Sequence, residues 1–430
     1  TPARGIPLAG YFNPRPNKGF LDDLCVKALL FSDGEKISGI VSYDLCFLSD
    51  GMVDGLIAAL KKAGFDFADR LSFCATHTHT GPYTMPLFSC GEDPGYIAAV
   101  EKKTVLAVSA AKANLYESEL YFGSVNSNPL AFNRRFYMKN GKVVTNPGKL
   151  NADIVRPEGT VDTEIGVAEI KQDDRTYAVI ANIVNHTDTI GGDMVSADWP
   201  GRMEREVQKR AGFEVPVITL IGCSGNINHF DVSNSDPQTS YSEAERIGSG
   251  YAKIVADTLP SLKKLERPEL SFELKTLEIK RVLISPERIA EAEKTVGELS
   301  FGSGGVNLTS EDLAKGADAV RWFFADQLLS FVKESNGKKL NIRLSALKFG
   351  RELAIVFLPG EPFTEIGLEI KRDSGFKRTF VASLAFGECG YIPLKDCYGR
   401  GGYETLPVTI GGVSPETAAE LAGAAGRLLK

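Results

Sequence analysis

The stretch Tyr177-Ala178-Val179-Ile180-Ala181-Asn182-Ile183-Val184 runs straight into Asn185-His186-Thr187-Asp188. A near-continuous apolar run of this length reads as a strand buried on both faces. The abrupt change to polar residues marks its end. The same juncture recurs along the chain. Leu71–Ala75 is followed by Thr76-His77-Thr78-His79-Thr80-Gly81-Pro82, and Val215–Ile221 by Gly222-Cys223-Ser224-Gly225-Asn226-Ile227-Asn228-His229. Leu353–Leu358 is followed by Pro359-Gly360-Glu361-Pro362, and Phe380–Phe386 by Gly387-Glu388-Cys389-Gly390-Tyr391. In α/β sheets, sites collect at the carboxyl ends of strands. Parallel strands would therefore set every histidine and Glu361 along one edge.

Outward from these strands the pattern alternates with helices. Val26–Phe31 and Ile37–Tyr43 read as strands about a turn at Asp33-Gly34. Met52–Ala63 has helical apolar spacing and ends at Gly64, a C-cap residue. Tyr96–Leu115 reads as a long Ala/Val-rich helix, expected to be well buried. Pro200–Ala211 and Ser242–Leu262 are further helices. Asn126–Asp162 is a long polar segment, and within it Phe136–Thr145 reads as a hairpin about Asn140-Gly141, a pair that favours a type I′ turn. From Glu269 the texture changes to an alternating strand, Glu269–Val282. Helices follow at Pro286–Leu299 and Ser310–Lys333 with a Gly302–Gly305 link. In the last helix Ser414 is the expected N-cap and Pro415 the first helical residue. The reading is one α/β domain over 1–430 with a helical insertion at about 285–335.

Composition excludes several classes. Of 430 residues, 43% are apolar and 24% charged, which rules out wholesale disorder. The net charge of −6 gives no reason to expect a nucleic-acid partner. No apolar run reaches the ~18 residues of a transmembrane segment. Seven cysteines without a CxxC pair argue against a disulfide scaffold or zinc ribbon, and favour a reducing compartment, the cytoplasm. The opening at Thr1 reads as a shortened or processed start.

Histidine is the informative count. There are four, His77, His79, His186 and His229, each among Gly, Asn, Asp and Thr. A catalytic zinc takes about three ligands from His, Asp and Glu and keeps a position open. His77 and His79, two apart, would point to one side of an extended backbone, so that one holds metal while the other meets substrate. Ser224 fits a nucleophile elbow only in part, since G-x-S-x-G needs glycine where Asn226 stands. Cys223 with His229 nearby is another nucleophile candidate, or simply a buried thiol. Asp198 is expected near a helix start. Asn133-Arg134-Arg135 offers an oxyanion contact, and Tyr83–Cys90 and Phe301–Val306 are candidate lids.

These motifs, in this order, resemble the catalytic region of the neutral/alkaline (non-lysosomal) ceramidases and their bacterial relatives. The opening Gly5-Ile6-Pro7-Leu8-Ala9-Gly10-Tyr11 looks like that family's N-terminal segment. Thr76–Pro82 is similar to its HTHSGP, with Thr80 for serine. Asn133-Arg134, Asn185-His186 and Pro359-Gly360-Glu361 match further segments. Tyr391 and Tyr403, the latter followed by Glu404, are spaced like its two C-terminal tyrosines. The resemblance implies an α/β fold of mixed β-sheets with flanking helices, with the active site at the strand C-terminal ends. It implies Zn2+ held by His77, His186, Glu361 and Tyr391, with His79, Arg134 and Tyr403 around the reacting carbonyl.

Two departures shape the expected activity. Asn228 stands where the family's GDVSPN motif has its serine, with His229 in place of proline. An amide is no nucleophile, so direct attack by metal-bound water is expected, with His229 as a proton carrier beside His79. The chain also reads as ending without the further immunoglobulin-like C-terminal domain of the true ceramidases, and on that expectation a long-chain ceramide is a less expected substrate. The leading expectation is a zinc-dependent hydrolase of linear amides or esters, taking a small amide, lipid or carbohydrate-derived substrate. The alternatives are a metal-dependent carbohydrate lyase or esterase, and a non-catalytic binding homologue. Oligomeric state is left open.

Overall fold

The computed structural model describes residues 1–88, 90–212, 214–267, 269–299, 301, 308, 310–408 and 411–430. The apolar runs form strands in three main sheets. Val26–Ser32, Ile37–Tyr43 and Leu71–Ala75 make the first, the last two strands being parallel. Five strands make the second, in the order Val217–Ile221, Arg175–Ile183, Glu164–Gln172, Glu119–Asn126 and Lys263–Lys264. Only its first pair is parallel. Leu270–Lys280, Lys339–Phe349, Leu353–Phe357 and Arg378–Ala382 make the third, again parallel only in the last pair. The fold class is α/β, with mixed sheets and flanking helices.

The three sheets share one core. Ile40, Phe73, Val167, Ile180, Ile218, Ile355 and Phe380 are all fully buried within it. Each such side chain contributes roughly 1.5–3 kcal/mol by leaving water. The sheets approach closely at Gly166, where a Cβ would come within 2.4 Å of the Phe380 ring.

Helices cover the outside. Asp50–Lys62 starts where the Ser49 hydroxyl accepts from the Met52 N–H, and buries Met52, Val53, Leu56 and Leu60. Pro94–Ala113 differs from expectation. It buries only the stripe Tyr96, Val100, Thr104 and Val108, while Leu106 is 53% exposed. Its alanines supply helix propensity rather than core. Pro286–Glu298, Ser310–Lys315 and Asp318–Ser335 all fall between Leu270–Lys280 and Lys339–Phe349, which pair antiparallel over their whole length. The expected helix Ser310–Lys333 is thus two helices, separated at Gly316 with φ +62°. The Gly302–Gly305 link, and most of the candidate lid with it, lie outside the described residues.

Two turns also differ. The hairpin of Arg135–Met138 and Val143–Thr145 forms as expected, but Gly141 takes a positive φ and Asn140 does not. A type I′ turn needs both, so this is a type I turn closed by a left-handed glycine, with Gly141 N–H on the Met138 carbonyl. The last helix is Thr417–Leu428, and Ser414 instead forms the turn before it, its carbonyl accepting from the Thr417 N–H.

The feature that gathers the strand ends is residues 383–386. The expected strand Phe380–Phe386 stops at Ala382, because Leu384 and Phe386 adopt left-handed φ of +58° and +63°. The freed backbone bonds to three strand ends in turn. Ser383 N–H reaches the Ile221 carbonyl, Ala385 N–H the Leu358 carbonyl and Phe386 N–H the Phe73 carbonyl. The loops after Leu71–Ala75, Val217–Ile221 and Leu353–Phe357 therefore open into one space.

Candidate metal centre

His77 follows Leu71–Ala75 on a left-handed backbone, φ +66°, its N–H on the Leu45 carbonyl. The HxH pair is therefore not extended, and its two rings converge through a turn. A non-glycine residue in this region costs about 1–3 kcal/mol and is held only by its surroundings. Here the hold is specific. The Nδ1 of His77 lies 2.7 Å from the Cys46 carbonyl oxygen. A carbonyl only accepts, so Nδ1 carries a hydrogen and Nε2 is the nitrogen turned to the site.

That Nε2 is the hub of the site. It stands 3.1 Å from Nε2 of His186, 3.3 Å from Nε2 of His79 and 3.3 Å from Oε2 of Glu361. His186 Nε2 is 3.9 Å from the same Glu361 oxygen. Trp199 Nε1–H fixes the His186 carbonyl at 2.9 Å, and the Thr187 hydroxyl donates to the Thr76 carbonyl, joining the two histidine loops. His77 and His186 are each 2% exposed, so the donors face one another rather than water.

Burial and charge set their protonation. Burial works against charge on His77, but the Glu361 carboxylate overrides it and raises the pKa well above the usual imidazole value. Burial, then the neighbouring His77, pushes His79 and His186 well down. Glu361 is lowered despite its burial, through His77. The cluster thus favours one positive charge at its centre. Glu361 Oε2 is buried without a hydrogen bond, a costly state that a cation relieves. Ligands on a tetrahedral ion with bonds of roughly 2.0–2.1 Å stand roughly 3.3 Å apart; His77 is 3.1 Å from His186 and 3.3 Å from Glu361, and His186 is 3.9 Å from Glu361. His77, His186 and Glu361 form a group that could hold a metal ion. Cys46, His77 and His79 form a second such group, but there Nδ1 of His77 is already given to the Cys46 backbone.

Beside this cluster lies a second group. Tyr391 is the strand partner of Glu361, and its hydroxyl is 3.3 Å from that of Tyr403. The Arg134 guanidinium lies 5.1 Å from the Tyr391 ring and 5.3 Å from the Tyr403 ring. It donates to the Gly225 carbonyl at 2.7 Å and to Glu404 at 3.1 Å. Burial raises both phenols above their usual range, so they remain hydrogen-bond donors at neutral pH.

The residues after Val217–Ile221 take other partners. Asn228 pairs backbone with Phe132, donates its amide to Asn146 at 2.8 Å and accepts from the Phe230 N–H. Arg134 N–H bonds to the Asn226 carbonyl in the same ladder, so Arg134 and Asn228 share its face. His229 is fully buried, with Nε2 2.6 Å from the Gln238 carbonyl. Burial lowers its pKa, leaving a neutral ring that ties its loop. The Cys223 thiol is pushed up to about 12 by burial, which makes it inert. Ser224 opens a tight turn in which its carbonyl accepts from Ile227 N–H. Asp198 sits in the first turn of Asp198–Ala211 as expected, but its carboxylate also accepts from the backbone of Thr189 and Ile190.

Sequence reasoning missed the supports: the Cys46 carbonyl, Asn146 and the clamp role of Glu404. Only Glu404 had a signal, its place directly after Tyr403.

Among solved structures, neutral ceramidase from Pseudomonas aeruginosa matches with a TM-score of 0.73 at 16% identity, over 99% of this chain and 72% of that one. A ceramidase complexed with C2 gives the same score and identity, over 99% of this chain and 73% of that one. The fold is therefore the neutral ceramidase fold, as the motifs implied. No protein-family model matches the chain, and no curated protein does.

Proposed function

We propose that the protein is a zinc-dependent, ceramidase-like hydrolase of an amide or ester bond. The observation that supports this most is the convergence of the His77 and His186 nitrogens on the unbonded Glu361 oxygen, with His79 against His77 and an arginine and two phenols alongside. In this reading His77, His186 and Glu361 hold the ion, with Tyr391 as a fourth ligand. Zn2+ there supplies Lewis acidity toward a carbonyl and a lowered pKa for water.

The chain's own residues do the rest. Arg134 and Tyr403 donate to the oxygen on which negative charge develops, from positions fixed before substrate arrives. Neutral His79 can take a proton and hand it to the leaving group. Asn228 offers an amide that can orient substrate but forms no covalent bond, so no acyl-enzyme arises at that position. His229 holds its loop through Gln238 and, as a second proton carrier, would have to break that bond.

The test is a product screen with N-acyl lipids, N-acyl sugars, simple esters and uronic-acid oligosaccharides, with and without zinc. Release of a carboxylic acid together with an amine or alcohol, abolished by chelator, is expected. An unsaturated uronide as the sole product would assign the lyase chemistry instead, and no product from any substrate would refute the hydrolase.

A further inference from the structure

His79 is placed from behind by the N-terminal segment. Its Nδ1 faces Oδ1 of Asp188 at 3.6 Å and has no hydrogen bond of its own. The same Asp188 oxygen accepts from the Tyr11 hydroxyl. The Tyr11 ring stands edge-on to His79, with centroids 5.6 Å apart at 89°. The Arg15 guanidinium covers the other side of Tyr11, 4.0 Å from its ring, and donates to the carbonyls of Ala9 and His79. At Gly10, with φ +99°, a Cβ would lie 2.5 Å from Cγ of His79. Three neighbouring residues of one segment therefore serve a single imidazole: glycine gives it room, tyrosine braces it and arginine holds the brace.

An imidazole that faces a carboxylate with one nitrogen keeps its hydrogen there and frees the other. Apo sites commonly show such pairs longer than the working hydrogen bond. We propose that Asp188, held by Tyr11, is the positioning residue for His79: it keeps the hydrogen on Nδ1 and leaves Nε2 open toward the donor cluster. Oriented this way, Nε2 can accept a proton at the reacting carbonyl, and the carboxylate stabilises the imidazolium that results. Without Asp188, nothing at Nδ1 selects this tautomer. The role rests on the reading of His79 as proton carrier, but the tautomer is a property of the chain alone.

The experiment is long-range 1H–15N correlation of the full chain with 15N-labelled histidine, above neutral pH, before and after zinc chloride is added. Four histidines give four patterns, and the His79 pattern is the one lost in His79→Gln. Expected for the native chain is a protonated Nδ1 and an unprotonated Nε2 on His79. Asp188→Asn should shift His79 toward the other tautomer while His229 keeps its hydrogen on Nε2. Tyr11→Phe should shift it the same way by a smaller fraction, and carries the test alone if Asp188→Asn does not fold. A His79 pattern unchanged in both variants, or a native chain with the hydrogen on Nε2, overturns the proposal. A native chain without hydrolase activity would sink the proposed function and leave the tautomer result standing.

Discussion

Glu404→Gln isolates the contact that connects the fold to the site. The Glu404 carboxylate has no exposed surface and accepts from Arg134 Nε at 3.1 Å, Arg135 Nη1 at 2.6 Å and the Thr145 hydroxyl at 2.7 Å. Burial alone would raise its pKa, but Arg135 and then Arg134 hold it below the usual carboxylate range. Glutamine keeps the shape and removes the charge. Arg135 retains Glu158 at 2.5 Å and the Gly401 carbonyl, whereas Arg134 is left with the Gly225 carbonyl. Breaking a buried pair on one side costs about 3–5 kcal/mol, and the retained Glu158 contact argues for the lower end, ~3 kcal/mol. Urea titration followed by tryptophan fluorescence measures it, since Trp199 is fully buried. The midpoint should fall with the slope unchanged. A loss under about 1 kcal/mol would mean that the two arginines are held by their carbonyls, and the argument for Glu404 as their clamp would fail.

Three further outcomes are expected. Purified protein should carry about one zinc-like ion by elemental analysis, and His77→Ala and Glu361→Gln should each abolish it; metal retained in both would refute the donor set. His229 is buried neutral with a lowered pKa, so below its unfolded value of 6.5 the unfolded chain binds the extra proton and stability falls as pH falls. His229→Gln should therefore narrow the stability difference between about pH 7.5 and about pH 5.5, and an unchanged difference would count against this burial argument. Asn228→Ala should lower turnover by about tenfold or less with metal retained, because positioning alone is lost; trapping an acyl group on Ser224 or Cys223 during turnover would contradict the direct route.

The strand ends were legible because a doubly buried strand lacks alternation, and its run simply stops where polar residues begin. The sequence could not show how those ends are joined. Phe380–Phe386 is apolar but for Ser383, and nothing in Leu384 or Phe386 announces a left-handed backbone, which sequence reading expects of glycine. Tyr96–Leu115 misled for a related reason: alanine serves exposed and buried helix faces alike. In the candidate site, residue types pointed to His77, His186 and Glu361, which the structure brings together, while their supports depended on distant pairing. Arg134 and Glu404 are 270 residues apart, and charge pairs at that separation leave no local pattern.

Residues 383–386 impose an order on how this molecule is made. The loop of His77 is synthesised early, but the backbone bond from Phe386 to Phe73 that closes it waits for roughly 300 more residues, or about 15–60 s at ordinary translation rates. For the part of that interval between residues 186 and 361, His77 and His186 are present on the ribosome while Glu361 and Tyr391 are not. A nascent chain in this state offers metal two imidazoles without the carboxylate. Under the proposed donor set, loading at full strength waits until Glu361 has been made, and a chain stalled before residue 361 would emerge with its strands begun and its centre open.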